Sequence, residues 1–417
     1  DDDDTSFEKS FNHAVDIVKG QGREIVGLLG NVSSTSTLTY GKFCSRNYKP
    51  MANNFSINQN VDGNVNNNQI VTGNANNNQN ANSNTGKNTE AENDGIPMFL
   101  PLATATSLIK NLDLKNVPAV LRLPPANDKQ AENISSFLLK GGVFKTVILK
   151  DLTNETYSTD LIENFRENYV QKHLSGGTPD FGEIVGTIPI GGKETSPFLY
   201  SALSGEGTGL VIAGMTNSAI ETLAQAKASN SNFNAIILTD GAVDEYLGKR
   251  IKKIRNEDDL KNLYLSFPSP CSLDKALEKY IGDEPTLKPD DFKFTHALFV
   301  ADGVYIIISE LNDKIVQDRN KTGNKILIDF INGLKEKAEK SENDWKDKNP
   351  DKPENPASKS VSIGTKLPFT EISKRDYLID KFGNNTNAGY FLFKLDSNSN
   401  WKPVDDNQSA KNCSDSK

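Results

Sequence analysis

The sequence predicts an α/β protein built from doubly wound, mostly parallel sheets with helices on both faces. Three observations carry that prediction. Short runs such as VFKTVILK, GLVIAG and NAIILTD are apolar along nearly their whole length, the pattern of strands buried on both faces. Each is followed by a segment with apolar residues at helical spacing, as in YSTDLIENFRENYVQKH and NSAIETLAQAKAS. The alternation recurs along most of the chain, as it does when helical crossovers join parallel strands.

Taken in order, REIVGLLG is an apolar run ending in Gly, and STSTLTYGKFCSRN after it reads as a helix. GIPMFLP is the next strand, with a helix opening at ATATSLIK. AVLRLPP is extended and stopped by two prolines, which fix φ and remove N–H donors. NDKQAENISSFLLKGG then reads as a helix with a Gly stop. VFKTVILK, EIVGTIPI, GLVIAG and NAIILTD are strands, followed by the helices YSTDLIENFRENYVQKH, SPFLYSAL, NSAIETLAQAKAS and AVDEYLGKRI. NLYLSFP is extended again. FTHALFVADGVYIIISELNDKI reads as one very apolar helix packed on a sheet, and GYFLFKL is a late strand.

Two tracts interrupt this pattern. Residues 53–94 are Asn-rich, with a degenerate echo of G-N-x-N-N-N-Q, and read as a disordered insertion that cannot offset its ordering entropy. Residues 335–360 are charged and Pro-bearing, and read as a helix end followed by an exposed linker. These tracts explain why only 36% of the 417 residues are hydrophobic. The tail at 406–417 reads as frayed.

The charge balance narrows the function classes. A formal net charge of −8 with no basic stripe argues against a nucleic-acid partner. No apolar run reaches the roughly 18 residues of a membrane span, and the opening DDDDTSFEKS carries no leader pattern. Three cysteines and three scattered histidines give neither a disulfide framework nor a metal motif, so no metal and no cofactor is expected. GTIPIGGKET fails as a phosphate loop, because Thr187 and Glu194 stand where Gly and Ser or Thr are needed. The sequons at Asn31, Asn133 and Asn154 are expected by chance in an Asn-rich chain.

Ligands of open α/β sheets gather outside the carboxyl ends of strands. Standing there are Asn31 to Thr35, Leu102 to Thr104, Asp151 to Tyr157, Met215 with Thr216, and Asp240. The set is rich in hydroxyls and lacks a nucleophile–base pair, so an enzyme is not expected.

The order of elements and their junctions resembles the type I periplasmic binding fold, in particular the leucine/isoleucine/valine-binding (branched-chain amino acid ABC transporter substrate-binding) family. The resemblance rests on GNVSSTSTL, GIPMFLPLATAT, RLPPANDKQAENISSFL, VILKDLTNETYSTDLIENF, LVIAGMTNSAIETLAQAK and IILTDGAVDEYL, in that order. It implies two α/β lobes closing on a ligand. Lobe one would be residues 1–122 plus 269–360, and lobe two 123–268 plus 361–405. Crossings would fall near RLPP, FPSP and Ser360. Family members begin with a strand and a helix that this sequence lacks, so a fragment whose first sheet misses a central strand is expected.

The resemblance also implies a site. Ser34 aligns with the serine that binds a ligand carboxylate, and Thr104 with a threonine doing similar work. Leu102 falls where a backbone carbonyl contacts the ligand ammonium. Tyr157 matches the aromatic that covers the ligand, Asp240 the acid that pairs with the ammonium, and Met215 replaces a family aromatic. Ser34 and Thr104 read equally as plain helix caps. Tyr157 also reads as a surface aromatic, Asp240 before Gly241 as a turn residue, and Met215 as packing.

The resulting expectation is an extracytoplasmic solute-binding protein, periplasmic or at the cell surface. It would capture an amino acid or similar small molecule by lobe closure and present it to an ABC permease. The alternative is a ligand-sensing receptor domain of the same fold coupled to a signalling partner.

Overall fold

The computed structural model describes residues 12–18, 20–21, 25–30, 33–47, 95–171, 181–191, 197–243, 247–254, 262–268, 293–315, 321–349, 359–363, 367, 376–387, 389–395 and 401–404. The Asn-rich tract, the FPSP crossing from Ser269 onward and the tail lie outside these residues.

The first sheet is parallel, with strand order β1 (Leu28–Leu29), β2 (Met98–Leu100), β3 (Val120–Arg122). These strands run without a gap between them. Its two faces bury different residues, as the pleat requires. Met98, Leu100 and Val120 pack with Leu108 and Leu112 of α2 (Leu108–Asp113) and with Cys44 of α1 (Ser34–Cys44). Phe99 and Leu121 face the other way.

The second sheet has seven strands in the order β12 (Trp401–Pro403), β11 (Phe391–Leu395), β8 (Leu263–Phe267), β7 (Ala235–Leu238), β6 (Thr208–Ala213), β4 (Lys145–Asp151), β5 (Glu183–Ile190). β4 to β8 are mutually parallel, and β11 and β12 add antiparallel edges. Residues 208–213 of β6 are all buried, which accounts for its unbroken apolar run. One face packs Ile148, Val211 and Ile237 against α3 (Asn127–Lys140) and α4 (Glu155–Arg166). The other packs Leu149, Ile212 and Leu238 against α6 (Thr216–Ala228) and α7 (Leu247–Ile254), with α5 (Pro197–Leu203) alongside.

The apolar run at Phe294 is one helix, α8 (Lys293–Ile315), joined by α9 (Gly323–Lys348). Asp302 interrupts the apolar run of α8, is fully buried, and accepts the Tyr377 hydroxyl at 2.6 Å. The charged stretch after Lys335 continues α9 to Lys348, because Ile331, Leu334 and Ala338 keep an apolar stripe in contact with the core. After Thr239, the chain makes a 3₁₀ turn at Asp240–Ala242, ahead of α7 at Leu247–Ile254.

A hairpin of β9 (Ser360–Ser362) and β10 (Leu378–Asp380) follows α9. Leu367, Tyr377 and Ile379 belong to the apolar cluster of Phe99, Leu121 and Leu327. Through Val361 and Ile379 this strand pair packs on the first core, and the chain crosses after it to β11 of the second sheet. Gly383 fits this crossing because its φ is +92° and a Cβ would lie 2.3 Å from the Val120 carbonyl oxygen. Its own carbonyl accepts the Arg122 N–H at 2.8 Å.

Candidate functional site

The site forms where the ends of β2, β4, β6 and β7 meet the first turns of α1, α4 and α6. Ser33 is the N-cap of α1 and accepts the Ser36 N–H at 3.2 Å. Ser34 is the first helical residue and buried, and its hydroxyl accepts the Ala105 N–H at 3.3 Å. This ties α1 to the loop after β2. In that loop Leu102 packs against the cluster of Phe99 and Leu121, and Thr104 is buried. Thr104 is not a helix cap: its carbonyl accepts the Asn127 N–H at 2.8 Å and Arg122 Nη1 at 3.1 Å.

Asp240 sits at the carboxyl end of β7, 5% exposed. Tyr157, in the first turn of α4, donates its hydroxyl to Oδ1 at 2.5 Å, and Tyr390 donates to Oδ2 at 3.0 Å. The Gly241 N–H adds a third bond, to Oδ1 at 3.1 Å. Gln130 lies against Tyr157, its Oε1 3.3 Å from the hydroxyl, and donates through Nε2 to the Ser266 carbonyl at 3.1 Å. The Thr104 side chain hydrogen-bonds the Tyr390 hydroxyl, so Tyr390 joins the first sheet's loop to Asp240.

The electrostatics of this cluster are unusual. Burial pushes the Asp240 carboxyl above its ordinary range, and the hydrogen bonds from Tyr157, Tyr390, Gln130 and Gly241 only partly oppose it. Burial, and then the charge of Asp240, drives both tyrosine hydroxyls well above theirs, so they stay protonated as donors. The Asp240 carboxyl thus takes its hydrogen bonds from uncharged donors, and no cation balances it among them.

Met215 stands at the flank. It is the N-cap position of α6, and its N–H donates to Asp151 Oδ2 at 2.9 Å. Asp151 also takes the Thr153 N–H at 2.8 Å and its hydroxyl at 2.6 Å. Gly214 leaves room for this carboxylate, since a Cβ there would lie 2.9 Å from the Asp151 Cβ. The Met215 sulfur lies 3.4 Å from Asn154 Nδ2.

The structure therefore brings Ser34, Thr104, Tyr157 and Asp240 into one hydrogen-bonded chain, with Leu102 behind Thr104 and Met215 beside Asn154. It adds Tyr390, Gln130, Asp160 and Arg122, none of which the sequence singled out as site residues, and Asn154, which the sequence placed only within the stretch Asp151 to Tyr157. Arg122 carried a usable signal: a lone cation in the apolar run AVLRLPP must find buried acceptors. Its guanidinium reaches the carbonyls of Thr104 and Ala105, the latter at 2.6 Å. Cys44 is buried, which pushes its thiol up to about 12. His296 lies edge-on to Phe267, and burial lowers its imidazole to about 4.

Among the described residues no group of three or more His, Cys, Asp or Glu side chains is placed to hold a metal ion. Among them, too, no helix is long and apolar enough to cross a membrane.

No protein-family model and no curated protein sequence matches the chain. Solved structures do. The leucine-binding protein LivK from Thermotoga maritima is similar with a TM-score of 0.57 at 11% identity, over 95% of this chain and 84% of that one. The branched-chain amino acid transporter substrate-binding protein LivJ from Streptococcus pneumoniae, in complex with isoleucine, has a TM-score of 0.48 at 17% identity, over 74% of this chain and 71% of that one. A solute-binding protein from R. palustris in complex with benzoate has a TM-score of 0.48 at 15% identity, over 76% of this chain and 72% of that one.

Proposed function

We propose that this chain, which has the type I periplasmic binding fold, captures a small solute bearing an ammonium group between its two lobes. An amino acid is the simplest such solute. The protein would act outside the cytoplasm, presenting the solute to an ABC permease and doing no chemistry on it.

One observation carries this reading. Asp240 is a buried carboxyl group whose hydrogen bonds from Tyr157, Tyr390 and Gly241 all come from uncharged groups. A buried charge without a countercharge is costly, and a ligand cation is the natural partner. The ligand's acid group would meet the hydroxyls of Ser34 and Thr104 on the facing lobe.

The experiment is a thermal-shift screen against amino acids, amides and aromatic acids, followed by calorimetry on the best binder. Asp240→Asn keeps the shape and removes the charge. Losing one partner of a buried charge pair costs roughly 2–5 kcal/mol. That is about thirty-fold or more in Kd. Equal affinity in Asp240→Asn would discard the ammonium assignment, and a preference for aromatic acids would replace it.

A further inference from the structure

On the reading that the lobes close on a solute, we infer that Asp160 and Asn154 are positioning residues of the cleft: they hold the lobes together and set the affinity of a site that neither has to touch. Both lie on the α4 segment, in the lobe of the seven-stranded sheet. Each captures the start of a helix in the other lobe.

Asp160 accepts the Thr106 N–H through Oδ2 at 2.7 Å and the Ser107 N–H through Oδ1 at 2.8 Å. Asn127 and Asn164 amides add bonds to Oδ2 at 3.0 and 3.3 Å. Bonds from N–H to a carboxylate are roughly twice as strong as neutral ones. Arg122 holds the other side of the same loop, taking the Thr104 and Ala105 carbonyls, and its charge is attracted to Asp160. The loop before α2 is thus fixed between a buried cation of its own lobe and a carboxylate of the other.

Asn154 does the same at α1 with a neutral acceptor. Its Oδ1 receives the Ser33 hydroxyl at 3.0 Å, the Thr35 hydroxyl at 3.1 Å and the Thr35 N–H at 3.4 Å. The Thr35 hydroxyl in turn accepts the Thr156 N–H at 3.1 Å. These bonds exist only while the lobes are apposed. They weight the closed state, and apparent affinity scales with the fraction of binding-competent molecules.

The two residues allow tests of opposite sign. Asp160→Asn turns an amide NH₂ toward two backbone N–H donors. Asn154→Asp places a charge where three donors converge. Spin labels at Lys337→Cys on α9 and Lys253→Cys on α7, both exposed, report the lobe separation. Cys271 and Cys413 would be changed to Ser, and buried Cys44 retained.

In the ligand-free protein Asp160→Asn should raise the open-to-closed ratio about tenfold, and Asn154→Asp should deplete the long-distance population. If both variants keep the parent's distance distribution while only melting temperature moves, the residues are merely structural and the inference fails. Should Asp160→Asn not fold, Asn154→Asp decides: an unchanged distribution overturns the inference. The readout needs no solute, so a failed ligand screen leaves it intact. Conversely, unchanged distances beside a bound solute would sink the latch and leave solute capture standing.

Discussion

The two lobes bring opposite chemistry to the cleft. The lobe of the short three-stranded sheet offers mainly donors: the Ser33 and Thr35 hydroxyls and the Thr35, Thr106 and Ser107 N–H groups, while the Thr35 hydroxyl and the Thr104 carbonyl also accept from Thr156 and Asn127. The lobe of the seven-stranded sheet offers acceptors: Asn154, Asp160 and Asp240. Helix starts supply the first set because their leading N–H groups have no intrahelical partners. Strand ends and the first turns of α4 supply the second. The difference teaches which groups are free for a solute. Asn154 and Asp160 are matched to first-lobe donors, whereas Asp240 has only its own lobe's hydroxyls and an amide, with Tyr390 leading across to Thr104.

The largest effect is expected where the donor lobe is held in shape. Arg122→Met removes two bonds from a guanidinium to buried carbonyls. Bonds to charged groups contribute about 1.5–3 kcal/mol each, so a loss of about 3 kcal/mol in unfolding free energy should appear in chemical denaturation. A loss below about 1 kcal/mol would mean that the loop's fold does not depend on the cation.

The acceptor lobe should behave in the opposite way. The Asp240 carboxyl has a folded pKa above the ordinary 3.8, chiefly through burial. Between those two values the folded state binds the proton more tightly than the unfolded chain, so stability falls as pH rises through that window. Ionising the buried carboxyl is therefore a cost. Asp240→Asn should raise the melting temperature of the ligand-free protein at pH 7, and the gain should shrink toward pH 4. Affinity for an ammonium solute should fall on acidification, starting at a higher pH than for an ordinary aspartate. A destabilised Asp240→Asn at pH 7 would show that its hydrogen bonds outweigh its burial.

Tyr390 tests the link between the two sides. Tyr390→Phe removes one hydroxyl from Asp240 and one partner from Thr104. A bond to a charged group of about 1.5 kcal/mol predicts roughly tenfold weaker solute binding by calorimetry. An unchanged Kd would restrict Tyr390 to packing.

How legible these residues were follows from how local their signals are. The sheets were readable because GLVIAG and NAIILTD are apolar on both faces, and β6 and β7 are buried on both. Ser34, Thr104, Tyr157 and Asp240 stood out because each lies at a strand-to-helix junction and matches a position of the resembled family. Tyr390 was not: it meets Asp240 across 150 residues, and nothing in GYFLFKL distinguishes its hydroxyl. Asn154 lay within the stretch Asp151 to Tyr157 at a strand end, but an Asn-rich composition gave its side chain no distinct signal. Asp160 left a trace, since it lies among Tyr157, Leu161 and Phe165, the buried positions of α4. An acid on an apolar helix face needs donors, and here they come from the other lobe. The packing of Tyr377 and Ile379 on Phe99 and Leu121 was not legible, because these partners lie far upstream.

The smallest effect is expected at Met215, where the donor and acceptor sides are both already satisfied without the side chain. Its structural bond is made by the backbone N–H to Asp151, which any residue except proline can make. Its sulfur contributes one weak contact to Asn154 at 3.4 Å. Met215→Ala should therefore change unfolding free energy by less than about 1 kcal/mol, below the 2–5 kcal/mol of a fully packed methionine, because the side chain is only half-buried. It should act on selectivity instead. Methionine is flexible and fills irregular gaps, so shortening it enlarges the flank beside Tyr157 and favours solutes with a bulkier side chain. The check is a ranking of amino-acid solutes by thermal shift in the parent and in Met215→Ala, with Asp240 intact in both. An unchanged ranking would place Met215 outside the solute's reach and leave the flank to Asn154 and Tyr157.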